Sequence, residues 1–133
     1  MTDHKTLMKE ALKAREYSYA PYSKYHVGAA LLTSSGKIYR GCNVENAAYS
    51  PTNCAERTAV FKAVSEGEKD FKAIAIVGGL EGSGTEGAFP CGVCRQVLFE
   101  FADENTFEVI VGKNEEEYSV YRLSELLPFG FRL

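Results

Sequence analysis

Two short stretches constrain this chain more than any other part of it: Cys54-Ala55-Glu56-Arg57 and Pro90-Cys91-Gly92-Val93-Cys94. Each follows a loop-like segment and opens an apolar-periodic run, so each reads as the first turn of a helix. The Cys91-x-x-Cys94 spacing sets two sulfurs on one side of such a turn, close enough to share an ion. Thiols at helix N-termini are drawn toward thiolate by the unpaired N–H groups and the helix dipole. A catalytic zinc takes three protein ligands and leaves its fourth position open to water. It also needs a nearby acid/base that is not itself a ligand. Cys54, Cys91 and Cys94 can supply the ligands. Glu56, two residues past a ligand, can reach the open position as the proton carrier.

Blander readings compete for the same residues. Asn53 and Glu56 fit a capping box, with Asn53 as N-cap and Glu56 folded back onto the backbone. Cys91-x-x-Cys94 alone could be a redox pair, although no thioredoxin-like setting surrounds it. A structural four-cysteine zinc site would recruit Cys42, yet such sites pair close-spaced knuckles, and eleven residues separate Cys42 from Cys54. Cys42 reads more simply as a small buried residue in a strand. His4 and His26 lack ligand spacing. Gly82-Ser83-Gly84 is not followed by Gly-Lys-Ser/Thr, so the phosphate-loop reading fails.

The 133 residues suffice for one domain, spanning 1–133, with a real core. Net charge is −3 and the basic residues are scattered, which argues against a nucleic-acid or anionic-membrane surface. No apolar run approaches the roughly 20 residues of a membrane span. No signal-peptide core follows Met1-Thr2-Asp3-His4-Lys5, so a cytoplasmic location is expected, where four cysteines read as thiols or metal ligands.

Periodicity predicts an amphipathic helix over Thr6 to Tyr17 and a hairpin of Val27–Thr33 with Lys37–Val44, turned by Ser34-Ser35-Gly36-Lys37. Next come a helix from Cys54 to Glu66 stopped by Gly67, and a buried strand from Phe71 to Val77. Gly78 to Pro90 reads as an irregular, glycine-rich loop beside the site. A helix over Cys91–Ala102 and strands over Thr106–Val111 and Tyr118–Arg122 follow. Ser124 is expected to cap a last short helix before Pro128. Strands alternating with helices after an opening hairpin predict an α/β fold, a three-layer α/β/α sandwich on a five-stranded mixed sheet.

The two cysteine stretches resemble the zinc deaminase signature of a ligand-x-Glu element followed by Pro-Cys-x-x-Cys. The chain as a whole is similar to the small, three-cysteine cytidine deaminases, and the likeness covers nearly all of it. That resemblance implies one zinc per chain on Cys54, Cys91 and Cys94, and a homotetramer whose sites are shared between subunits. It implies hydrolytic deamination of cytidine and 2'-deoxycytidine in pyrimidine salvage, with Glu56 moving protons to ring N3 and to the departing amine. Arg57 matches the arginine that donates hydrogen bonds to the thiolates, offsetting the net −1 of one Zn²⁺ with three sulfurs. Gly41-Cys42-Asn43-Val44-Glu45-Asn46-Ala47 matches the segment whose Asn and Glu hold the sugar, which gives those roles to Asn43 and Glu45. The Ala55 N–H would read a pyrimidine edge. Tyr25 stands where the family usually has a phenylalanine along the base, so its hydroxyl must find a partner. Phe131 fits the tail aromatic that enters a neighbouring site. Rival functions are deamination of another aminopyrimidine nucleoside or of a base within RNA or DNA, and a structural zinc module that binds a partner protein.

Overall fold

The computed structural model describes residues 2–133. Helix α1 (His4–Arg15) begins where the Asp3 carboxylate accepts the Thr6 N–H at 3.0 Å, an N-cap that stabilises the helix by about 1 kcal/mol. It therefore starts and ends two residues earlier than its periodicity predicts. Its end is fixed by Arg15, whose Nε donates to the His26 carbonyl and whose Nη2 donates to the Gly79 carbonyl, both at 2.9 Å. Strands β1 (Gly28–Thr33) and β2 (Ile38–Cys42) form the hairpin. Helix α2 (Ala55–Ser65), strand β3 (Phe71–Gly78), strand β4 (Glu86–Gly87) and helix α3 (Gly92–Phe101) follow. Strands β5 (Glu108–Gly112) and β6 (Tyr118–Arg122) and helix α4 (Leu123–Leu126) complete the chain.

The sheet runs β2-β1-β3-β5-β6, with β4 on β3. Only β3 and β5 are parallel; the other pairs are antiparallel. Alternate residues of the central strands bury opposite faces. Ala30, Ala73, Ala75, Val77 and Ile110 meet Leu7, Met8 and Ala11 of α1. Ala29, Leu31, Ile74, Ile76, Val109 and Val111 meet Ala55, Ala59, Val60, Leu98 and Phe99 on the other side. Helix α1 thus covers one face and α2 with α3 the other, which is the expected three-layer α/β/α sandwich. Each of the fully buried isoleucines contributes roughly 1.5–3 kcal/mol.

Gly41 fixes the height of α2 on the sheet. A Cβ on Gly41 would lie 2.4 Å from the Ala55 carbonyl oxygen and 2.5 Å from the Ala59 nitrogen. Only a glycine lets the first turn of α2 approach this closely.

Two details differ from expectation, and one rival reading falls. The sheet has five strands plus a sixth, because Glu86–Gly87 in the glycine-rich segment pairs with Gly78 and Val77. Period-2 alternation cannot reveal a strand of two residues. Ser124 does not cap the last helix; Arg122 does, its N–H donating to Glu125 Oε1 at 2.8 Å. Asn53 is not the N-cap of α2, since Cys54 occupies that position, and the capping-box reading falls with it. The Asn53 amide donates instead to Thr58 Oγ1 at 3.2 Å, while its backbone pairs with Val44.

Candidate active site

Both cysteine stretches place a sulfur at the N-cap of a helix: Cys54 caps α2 and Cys91 caps α3. Cys94 lies in the first turn of α3 and is fully buried, and its N–H donates to Cys91 Sγ at 3.5 Å. The Cys54 and Cys91 sulfurs stand 3.9 Å apart, and all three sulfurs lie within 4.8 Å of one another. Tetrahedral zinc with Zn–S bonds of ~2.3 Å separates its sulfurs by about 3.8 Å, so the cluster fits that ion. Cys42 stands outside the cluster; burial pushes its thiol up, which disfavours the thiolate a metal needs. His4 and His26 are bound elsewhere, to Glu108 and Glu81.

The electrostatics follow from this crowding. The Cys54 thiol is pushed down to about 5, chiefly by a hydrogen bond from Cys94 and then by Arg57, against the opposing effect of burial. Cys94 moves the other way because Cys54 accepts its hydrogen and because it is buried. Arg57 Nη2 donates to Cys54 Sγ at 3.2 Å, and the thiolate strengthens the guanidinium's hold on its proton. Arg57 Nε is buried and has no partner among the described residues.

Glu56 is 4% exposed. Burial, then the neighbouring Cys54 charge, raise its carboxyl to about 7, while its own backbone N–H and Arg57 pull it down. A carboxyl poised there both accepts and releases protons at neutral pH.

A cavity of about 350 Å³ opens against this corner, within the size range of small-molecule sites. Cys54, Ala55, Glu56 and Cys91 form its floor; Tyr25, Val27, Asn43, Glu45, Thr52, Asn53 and Gly87–Phe89 form its walls. Glu45 accepts the Tyr22 and Ser23 N–H groups at 3.0 and 3.1 Å and also the Ser23 hydroxyl. These bonds, the Ser23 hydroxyl first, hold its carboxyl below the usual range. The Tyr25 hydroxyl donates to Glu86 Oε1 at 3.0 Å, so the extra oxygen relative to phenylalanine finds its partner on β4. Phe131 stands outside the cavity of its own chain, 65% exposed, with its carbonyl accepting from Gln96 at 2.9 Å.

The Cytidine and deoxycytidylate deaminase zinc-binding region model matches residues 1–113. The chain belongs to this deaminase family. Its relatives include a cytidine deaminase of Sporosarcina psychrophila, 50% identical over 129 residues, which are 97% of this chain and 91% of the relative. A cytidine deaminase of Halalkalibacterium halodurans is 48% identical over 97% of this chain and 94% of its own length. Among solved structures, the cytidine deaminase of Burkholderia pseudomallei superposes with a TM-score of 0.85 at 47% identity, covering 98% of this chain and all of its own. That of Mycobacterium tuberculosis does so with a TM-score of 0.82 at 35% identity, covering 100% of both chains. Family membership and the fit of the sulfur cluster together give the chain one zinc site.

Sequence reasoning missed part of this deaminase site. Phe89 walls the cavity with its ring 5.3 Å from that of Tyr121. Arg95 fixes the turn ahead of Cys91, donating from Nε to the Pro90 carbonyl and from Nη1 to the Leu126 carbonyl, both at 2.7 Å. Adjacency to Pro90 and a spacing of one helical turn after Cys91 were signals that could have found them. Among the described residues no helix is long and apolar enough to cross a membrane.

Proposed function

We propose that the chain is a zinc-dependent cytidine deaminase that converts cytidine and 2'-deoxycytidine, with water, to uridine and 2'-deoxyuridine and ammonia. Zinc held by Cys54, Cys91 and Cys94 supplies the Lewis acidity that activates water near neutral pH. Glu56 takes a proton from the attacking water and delivers it to pyrimidine N3 as the new bond forms at C4. It then carries a second proton to the exocyclic amine, which leaves as ammonia. Its burial beside Cys54 is the observation that carries this reading, because a solvated carboxylate would be too weak a base and would hold almost no proton to deliver at neutral pH.

Arg57 sets its positive charge against the sulfurs, the Ala55 N–H meets a pyrimidine edge, and Tyr25 packs along the base. Asn43 and Glu45 take the sugar hydroxyls. A net charge of −3 and a cavity of about 350 Å³ favour the free nucleoside over a polynucleotide. Exposed aromatic side chains on Tyr17, Tyr49, Phe129 and Phe131 support a homotetramer, in which Phe131 enters a neighbouring site. Salvage of pyrimidine nucleosides in the cytoplasm is the corresponding role.

Ammonia release and the ultraviolet change of cytidine, followed on zinc-loaded protein, test the reading. Turnover of cytidine with none of a cytidine-containing oligonucleotide is expected. A protein with full zinc and no turnover of cytidine contradicts it.

A further inference from the structure

Asn43 is held in one orientation by partners that leave no choice. Val27 N–H donates to its Oδ1 at 2.9 Å, and its Nδ2 donates to the Tyr25 carbonyl at 2.8 Å. Oδ1 also meets the Ser18 hydroxyl. An amide oxygen only accepts, so the single Ser18 hydrogen points to Asn43. Ser18 Oγ can then only accept from His26 Nδ1, 2.9 Å away, which must carry a hydrogen. His26 Nε2 faces Glu81 Oε1 at 2.9 Å. The Glu81 carboxyl is held below the usual range, chiefly by His26 itself, so it is an acceptor that ties the far side of the ring. The second Asn43 Nδ2 hydrogen is the one left for a ligand.

We infer that Ser18, His26 and Glu81 form a positioning relay that aims Asn43 into the cavity, so that sugar binding depends on the Ser18 hydroxyl that holds Asn43. The inference rests on the proposed reading that Asn43 takes a sugar hydroxyl. Arg15 fixes the backbone of His26, donating to its carbonyl at 2.9 Å. Without the Ser18 hydroxyl, Asn43 loses the contact that, with Val27, pins its oxygen away from the ligand.

The test compares cytidine with 2',3'-dideoxycytidine, which lacks both ring hydroxyls, in wild type, Ser18→Ala and His26→Gln. Loss of one part-buried hydrogen bond predicts that Ser18→Ala raises KM for cytidine about 3- to 10-fold with kcat within about twofold. KM for dideoxycytidine stays at its wild-type value. His26→Gln, which breaks the link from Ser18 to Glu81, raises KM for cytidine in the same direction and leaves that for dideoxycytidine unchanged. Zinc content and melting temperature of both variants verify the fold. Equal KM changes for the two nucleosides, an unchanged KM for cytidine in Ser18→Ala, or an unchanged KM for cytidine in His26→Gln each overturn the relay. Absence of cytidine turnover in zinc-loaded wild type overturns the proposed function instead.

Discussion

The Arg57 guanidinium donates to the Cys54 sulfur at 3.2 Å from one turn along the same helix. Zinc with three thiolates carries net −1, which weakens its pull on water, and this contact offsets part of the negative charge on the sulfur. Arg57→Gln keeps the stem and removes the charge. It is expected to retain zinc while kcat falls 10- to 100-fold, the usual cost of losing a partner of a metal ligand. Metal analysis alongside steady-state kinetics checks this. Unchanged kcat would show that the helix dipoles alone offset the charge.

Cys42 tests which thiols matter. It lies outside the sulfur cluster, in a strand where burial keeps it protonated. Cys42→Ala is expected to bind one zinc and turn over cytidine as wild type does, whereas Cys91→Ala loses the metal. Zinc release from Cys42→Ala would revive the structural four-cysteine site.

The close approach at Gly41 makes a third prediction. A methyl group there meets backbone atoms of Ala55 and Ala59 at 2.4–2.5 Å, and backbone cannot swing aside as a side chain can. Gly41→Ala must lift the first turn of α2, carrying Cys54, Ala55 and Glu56 with it. Destabilisation by about 1–3 kcal/mol is expected together with weakened zinc binding, measured by thermal melts and chelator competition. Full metal affinity would mean that the strand, not the helix, yields.

Much of this was legible because it rests on short-range pattern. The Cys91–Cys94 spacing, the Cys54–Glu56 offset and the alternating strands are local, and the structure brings the three sulfurs together as the spacing implies. What escaped depends on contacts between distant segments. Strand β4 exists only because Gly78 lies beside it, and Asn53 is drawn away from a capping role by its pairing with Val44. Nothing local joins Ser18 and His26 to Asn43, or Tyr25 to Glu86. Phe131, read as a residue of a neighbouring site, has its expected contacts outside one chain altogether.

Burial of Glu56 carries a stability signature. Its carboxyl, near 7 against an ordinary 4.5, binds a proton more tightly in the folded chain than in the unfolded one. The stabilisation this gives is complete below the unfolded value and is lost as pH rises through about 7. With chelator present, Glu56→Gln is therefore expected to melt above wild type at pH 8, by up to ~3 kcal/mol, and to show little difference near pH 4.5. A parallel pair of stability–pH curves would mean the carboxyl is solvated.

Cytidine turnover and bound zinc, measured on the same sample of Glu56→Gln, bear most directly on the site. The amide preserves shape and burial but cannot ferry protons, so one zinc per chain and a kcat lowered by about 10²- to 10⁴-fold are expected. Wild-type turnover in that variant, with its zinc in place, would contradict Glu56 as the proton carrier.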